Sequence, residues 1–152
     1  MDETNDSRKS LLKELLALPK ETEWVEFKLN NDDPQEIGEY LSALSNSAVL
    51  AGKSKGYLVW GIENTTHGII GTKVDLKHQK KGNEELESWL LKLLSPKIDF
   101  HFYETQIDNK RVVILEISRA TNNPVQFQGH EYIRVGSYKK SLKDFPEKER
   151  TL

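Results

Sequence analysis

Cysteine is absent from the 152 residues and methionine occurs once. Without cysteine no disulfide and no thiolate-held zinc can form, and the chain suits a reducing, cytoplasmic setting. Long apolar runs are lacking too: none nears the roughly 18 residues a membrane-spanning helix needs. The start, MDETNDSRKS, has neither the basic region nor the apolar centre of a secretory signal. Nor is there an excess of one charge, since 22 Lys and Arg face 24 Asp and Glu for a net charge of -2. Bulk electrostatics therefore does not mark a nucleic-acid binder, and any such binding must come from a local patch. What is present, 30% charged and 36% hydrophobic residues, describes a folded globular chain of one domain.

The periodicity divides the chain into a flexible N-terminus at 1–9, a domain at 10–145 and a polar tail at 146–152 that reads as a lead into further domains. SLLKELLALP spaces Leu11, Leu12, Leu15 and Leu16 as one helical face with Pro19 as the stop. The run ETEWVEFKL reads as a strand. NNDDP then supplies a turn, an N-cap at Asp33, Pro34 at the first helical position and Glu36 in the capping-box slot. The helix that follows carries Ile37, Tyr40, Leu41, Leu44 and Ala48 on one face. A basic loop, GKSKG, precedes the apolar strand YLVWGI, and ENTTHG with GIIGT has the pattern of a hairpin. A helix opening at Gly82 and Asn83 presents Leu86, Trp89, Leu90, Leu93 and Leu94. IDFHFYETQI and RVVILEIS form a second hairpin about Asp108 and Asn109. Two short strands about Gly129 precede a tail with Lys139, Lys140 and Lys143.

Two apparent motifs do not carry chemistry. SAVLAGKS reproduces the last three positions of a phosphate-binding loop in Gly52, Lys53 and Ser54. However, Ser47 replaces its first glycine, and the order here is helix then strand, the reverse of the strand-to-helix junction that presents amides to phosphate. His67, His78, His101 and His130 fall in no metal-ligand spacing and near no nucleophile. More informative is ETEWVEFK, which sets Glu21, Glu23 and Glu26 on a strand, where glutamate is depleted. Its carboxylates belong either to a solvated edge or to part of a metal site.

ETEWVEFK, LSALSNSA, GYLVWGIENTTHGIIGT and EYIRVGSYKKSL, in this order from about Leu11 to Leu142, resemble the schlafen-type AlbA-like DNA-binding domain family. The family pattern starts with two glutamates five apart before Phe-Lys. A helix with an Ala-Asn-type end, a glycine-rich approach to an acidic strand end and a late Ile-Arg-Val-Gly-Ser follow. AVLAGKSKG departs from it where a Gly-Gly pair is usual. The resemblance implies an α/β (α+β) fold, a mixed and mostly antiparallel sheet with flanking helices, of the kind found in bacterial regulators and eukaryotic schlafen proteins. In some schlafen relatives the domain is a metal-dependent endoribonuclease acting on transfer RNA. Its carboxylates carry over to Glu21 and Glu26, but the third, an aspartate, falls on Asn64.

Asparagine offers a neutral carbonyl where a divalent cation on phosphate oxygens wants an anion. Glu63 stands next to it, yet neighbouring strand residues face opposite ways. The expected function is therefore phosphate-backbone binding of DNA or RNA with little sequence readout, in a bacterial-type regulator. Lys28, Arg134, Lys139 and Lys140 are the nucleic-acid-binding candidates, and no cofactor is needed. Further cations at Lys53, Lys55, Arg111 and Arg119 accompany Tyr57, Tyr132 and Tyr138 as stacking platforms. The alternatives are a nuclease with Glu21 and Glu26 as catalytic residues, holding Mn or Mg through Glu21, Glu26 and Glu63, and a regulatory module that forms a homo-oligomer and touches no nucleic acid. A strand arginine needs a partner, and Glu26 or Glu63 would serve Arg134.

Overall fold

One helix is enclosed between two four-stranded sheets, and the chain is arranged around it. The computed structural model describes residues 3–20 and 22–152, with side chains from Asp6 onward. In chain order its elements are α1 (Glu3–Leu16), β1 (Val25–Lys28), α2 (Pro34–Leu50), β2 (Lys55–Trp60), β3 (Lys80–Lys81), β4 (Glu84–Glu85), α3 (Leu86–Leu93), β5 (Leu94–Ser95), β6 (Phe100–Ile107), β7 (Lys110–Ser118), β8 (Gln126–Phe127), β9 (His130–Val135), β10 (Tyr138–Ser141) and α4 (Pro146–Glu149). The first sheet has the order β1-β2-β7-β6 and the second β10-β9-β8-β5. The β1–β2 pair is parallel and the other named pairs are antiparallel, which is the mixed, mostly antiparallel α/β fold expected.

Strand alternation splits the core in two. Tyr57 and Val59 of β2, with Val112 and Ile114 of β7, face Leu12 and Leu15 of α1. Leu58, Trp60, Val113 and Leu115 face α2 and α3 from the other side of the same sheet. Period-two burial on both faces explains why YLVW reads as a continuous apolar run. Trp60 is wholly buried and donates its indole N–H to the Asn31 carbonyl at 2.7 Å.

With a sheet on each side, α2 is buried all round from Tyr40 to Ala48, and its polar residues serve the second sheet. Ser42 Oγ donates to the Val125 carbonyl at 2.6 Å and accepts from the Tyr132 N–H at 3.0 Å. Asn46 donates to the carbonyls of Val125 and Tyr132 and accepts from the Val125 N–H. Ser47 Oγ accepts from the Arg134 N–H at 3.0 Å. The motif LSALSNSA thus satisfies backbone groups that a buried strand edge would otherwise leave unpaired.

The structure modifies several local expectations. Helix α1 already runs from Glu3, inside the stretch read as flexible, and Arg8 fastens it by donating to the Glu104 carbonyl at 3.0 Å and covering the Tyr103 ring. The Asp33 carboxylate caps α2 by accepting from the Glu36 N–H, but the reciprocal arm of a capping box is absent. Asp33 N–H goes to Asn31, and the Glu36 carboxylate is held by Lys139. The hairpin expected at 61–72 reduces to one bridge, Ile62 to Ile69, because Glu63 ties the intervening turn to itself. Gly82 and Asn83 turn a two-residue hairpin, β3–β4, so α3 begins later, at Leu86. What reads as a polar tail after Gly136 is the strand β10, followed by the short helix α4. Asp108–Asn109 and Gln128–Gly129 adopt positive φ at both positions, the turn geometry that matches strand twist in two-residue hairpins.

Candidate functional site

β1 is the edge of the first sheet. Val25 and Phe27 pack toward α1, so alternation sends Glu26 to the α2 side, where it is buried. There the Arg134 guanidinium, from β9, meets it: Nη2 lies 3.1 Å from Glu26 Oε1. Nη1 donates to the Thr22 carbonyl at 2.5 Å and to the Val25 carbonyl. Among the described residues only Nε of this side chain is left without a partner. Tyr40 of α2 donates its hydroxyl to Glu26 Oε2 at 3.0 Å, and burial, reinforced by the Glu26 charge, raises the pKa of that phenol. The neighbouring glutamate, Glu23, accepts from the Gly136 N–H at 2.7 Å. ETEWVEFK and EYIRVGS are therefore two halves of one seam that fixes the second sheet to the edge of the first.

A second ion-pair group adjoins it. Lys139 Nζ lies 2.7 Å from Glu36 and 2.6 Å from Glu39 and sits 4.7 Å from the centroid of the Tyr40 ring. The Lys28 ammonium approaches the same ring at 4.9 Å and lies 3.6 Å from Glu26. Burial works against the Lys139 charge, but hydrogen bonds to Glu36 and Glu39 outweigh it and hold the pKa above its usual value. Burial likewise opposes ionisation of Glu39, and the bonds from Lys139 and Gln35 hold its carboxyl below the usual range. Lys28, Arg134 and Lys139 are thus balanced in place by Glu26, Glu36 and Glu39.

Of the carboxylates proposed for a metal, only Glu26 and Glu63 are among the described residues. Glu21 lies outside the described residues. The Glu26 oxygens are taken up by Arg134, Tyr40 and Lys28. Glu63 accepts from the Thr66 N–H at 2.7 Å, a bond that lowers its pKa, and Asn64 is exposed beside it on the turn. Among the described residues no group of three or more His, Asp or Glu could hold a metal ion. Among the described residues, Glu26 and Glu63 are engaged by other groups and do not by themselves make a donor set for a divalent cation.

Exposed cations are also paired with aromatic faces. Lys140 sits 5.6 Å from the centroid of Tyr138, which is 69% exposed, and both extend the hairpin whose Gly136 is bonded to Glu23. Next to Glu23, Trp24 carries Lys53 at 5.1 Å over its ring. Of the other tyrosines considered for stacking, Tyr57 is core and Tyr132 is half-buried. Lys55 pairs with Glu116 at 3.7 Å, Arg111 is bound into a separate cleft, and Arg119 is exposed. The Trp24–Lys53 pair escaped sequence reading because its members are far apart in the chain and lie in two separate motifs. No described helix is long and apolar enough to cross a membrane.

Comparison with solved structures supports the fold. The DIP2311 protein of Corynebacterium diphtheriae matches with a TM-score of 0.54 at 17% identity, over 89% of this chain and 27% of that one. The chain thus spans about a quarter of the DIP2311 length. The N-terminal domain of a Nitrosomonas europaea protein described as ATP-dependent DNA helicase RecG-related matches with a TM-score of 0.50 at 21% identity, over 92% of this chain and 93% of that domain. No curated protein matches the sequence. The family model described as Schlafen, AlbA_2 matches residues 21–143, from the first glutamate of ETEWVEFK to the end of β10 and the turn after it, and the chain belongs to that family.

Proposed function

We propose that this domain is a nucleic-acid-binding module of a bacterial-type regulator that grips the phosphate backbone and stacks on bases without reading sequence. The observation that carries the reading is the Tyr138–Lys140 pair: a large aromatic ring left 69% exposed with an ammonium over it, on a hairpin held rigid by the Glu26–Arg134 seam. An aromatic platform beside a phosphate-seeking cation is the minimal unit of single-strand binding, and every base offers a face to it. Trp24 with Lys53 supplies a second such unit near the seam. Membership of the Schlafen AlbA_2 family and the likeness to a domain from a protein described as RecG-related support the same class.

The seam residues contribute by positioning. Lys28, Arg134 and Lys139 are committed to carboxylates, so the contacts to phosphate fall to Lys140 and Lys53. The test is binding of labelled single-stranded DNA and RNA across a salt series, for the unaltered chain and for Tyr138→Ala. Expected are a steep loss of affinity with salt and, in Tyr138→Ala, a loss of about 1–3 kcal/mol, the range for one stacked base. Binding that ignores salt would overturn the reading. Cleavage of the RNA that requires Mn or Mg would replace it with the nuclease alternative.

A further inference from the structure

A cleft of about 570 Å³ opens along β6, the edge of the first sheet opposite β1. Its floor is apolar, made of Phe102, Leu76 and Val113, and its rim carries four cations, Arg8, Lys73, Lys77 and Arg111. Asp75 and Glu104 are the acidic residues of the lining, so four positive against two negative charges leave a local excess of about two in a chain whose net charge is -2.

The rim combines two fixed cations with two free ones. Arg111 is held in place: it pairs with the Glu104 carboxylate and donates to the carbonyls of Thr72 at 3.2 Å and Val74, which also fixes the course of the 72–78 segment. Arg8 is fixed too, through the Glu104 carbonyl and the Tyr103 ring. Lys73 and Lys77 lie on the same segment, are exposed, and have no acidic partner among the described residues. Asp75, between them, is occupied by His78 at 2.8 Å. Bound arginines that need no reorganisation, with unpaired lysines beside them and an apolar floor below, form a site for an anion with a flat apolar body.

We infer that this cleft binds a phosphorylated nucleotide, its phosphates at Lys73 and Lys77 beside Arg111 and its base against the half-buried ring of Phe102. The nucleotide is either a free nucleoside di- or triphosphate or one residue of a strand, and the phosphoryl chemistry is common to both. The Tyr138 surface is separate from this cleft and lies on β10 of the second sheet.

The experiment follows backbone amide shifts of the isotopically labelled full chain during titration with pyrophosphate, adenosine diphosphate and a short oligothymidylate. Expected are shifts in the amides of 72–78 and 111, weakened about tenfold by Lys73→Ala with Lys77→Ala, a loss equivalent to one charge-assisted contact. Both lysines are exposed, so the variant should stay folded. Glu104→Gln removes the competing carboxylate and should tighten pyrophosphate binding, an effect of opposite sign that general destabilisation would not produce. Shifts with adenosine diphosphate mark a free nucleotide, and shifts with oligothymidylate alone mark a strand; either supports the cleft. No shift there with any probe at low salt, or shifts unchanged in the double lysine variant, would overturn it. Tyr138→Ala should leave these shifts intact, so the two surfaces fail separately.

Discussion

Arg134 and Glu26 stand 3.1 Å apart with side chains only 2% and 7% exposed, one on each of the two sheets. A buried pair adds little net stability over a hydrophobic replacement of both, but removing one member strands the other charge. Arg134→Met should therefore cost about 3–5 kcal/mol in urea unfolding, while Arg134→Met with Glu26→Met recovers part of that loss. Arg134→Lys should also be costly, because an ammonium cannot reach the Glu26 carboxylate and the Thr22 and Val25 carbonyls together. A single variant as stable as the unaltered chain would show that the seam does not hold the sheets.

Gly38 tests how closely α2 lies between its sheets. Alanine in a helix interior is ordinarily favoured over glycine by about 1 kcal/mol. Here a Cβ would run into the ring of Phe127, itself wholly buried, and forcing a methyl into a packed core costs about 1–3 kcal/mol. Gly38→Ala should be net destabilising, and shortening the neighbour with Phe127→Leu in the same chain should restore part of the loss. A gain in melting temperature for Gly38→Ala alone would mean that α2 can shift.

Trp60 sits at the centre of the other interface, wholly buried and hydrogen-bonded to Asn31. Trp60→Ala should cost about 3–5 kcal/mol. A variant that stayed equally stable and lost only nucleic-acid binding would move Trp60 from core to binding surface.

Much of this architecture is legible in the residues because it rests on local signals: the Asp33–Pro34 start of α2, the paired turn residues Asp108 and Asn109, and the alternation through β6 and β7. The need of a strand arginine for a carboxylate likewise anticipates a partner for Arg134 in Glu26 or Glu63, and it is Glu26 that pairs with it. Lys139 and Lys140 could not be told apart in the same way. Adjacent residues of β10 face opposite sides, and the strand itself is invisible in a lysine-rich run of low strand propensity. The cleft was hidden for a different reason, since Arg8, Lys73 and Arg111 meet only after α1, the 72–78 segment and β7 have packed.

Stability should fall on the alkaline side. Burial pushes the Tyr57 phenol up to about 12, with Glu116 and Glu14 adding to it, and burial followed by the bond to Glu116 raises Tyr103 as well. An unfolded phenol titrates near about 10. The folded chain therefore keeps protons that the unfolded chain releases, so this contribution is fully present below pH about 10 and is lost as pH rises toward about 12. Urea midpoints across that range should decline, and Tyr103→Phe should flatten the decline. A flat profile for the unaltered chain would mean that these hydroxyls reach water.

The neighbouring lysines of β10 should separate binding from stability. Lys140 is exposed, with its ammonium over the Tyr138 ring and no acidic partner among the described residues, so Lys140→Ala should leave the urea midpoint within about 0.5 kcal/mol of the unaltered chain. It should weaken binding to single strands and lower the salt slope by about 0.7, one phosphate contact. Lys139 is 16% exposed and held by Glu36 and Glu39. Lys139→Ala leaves these two carboxylates close together without their cation, so the loss should appear as stability. It should be largest at neutral pH and shrink in acid as Glu39 takes up a proton, because the bond from Lys139 is the largest of the contacts that hold Glu39 below its usual range. The salt slope of binding should not change. If Lys139→Ala lowered that slope as much as Lys140→Ala does, with the fold equally stable, the ammonium would have to leave its carboxylates for phosphate, and the seam would be part of the binding surface itself.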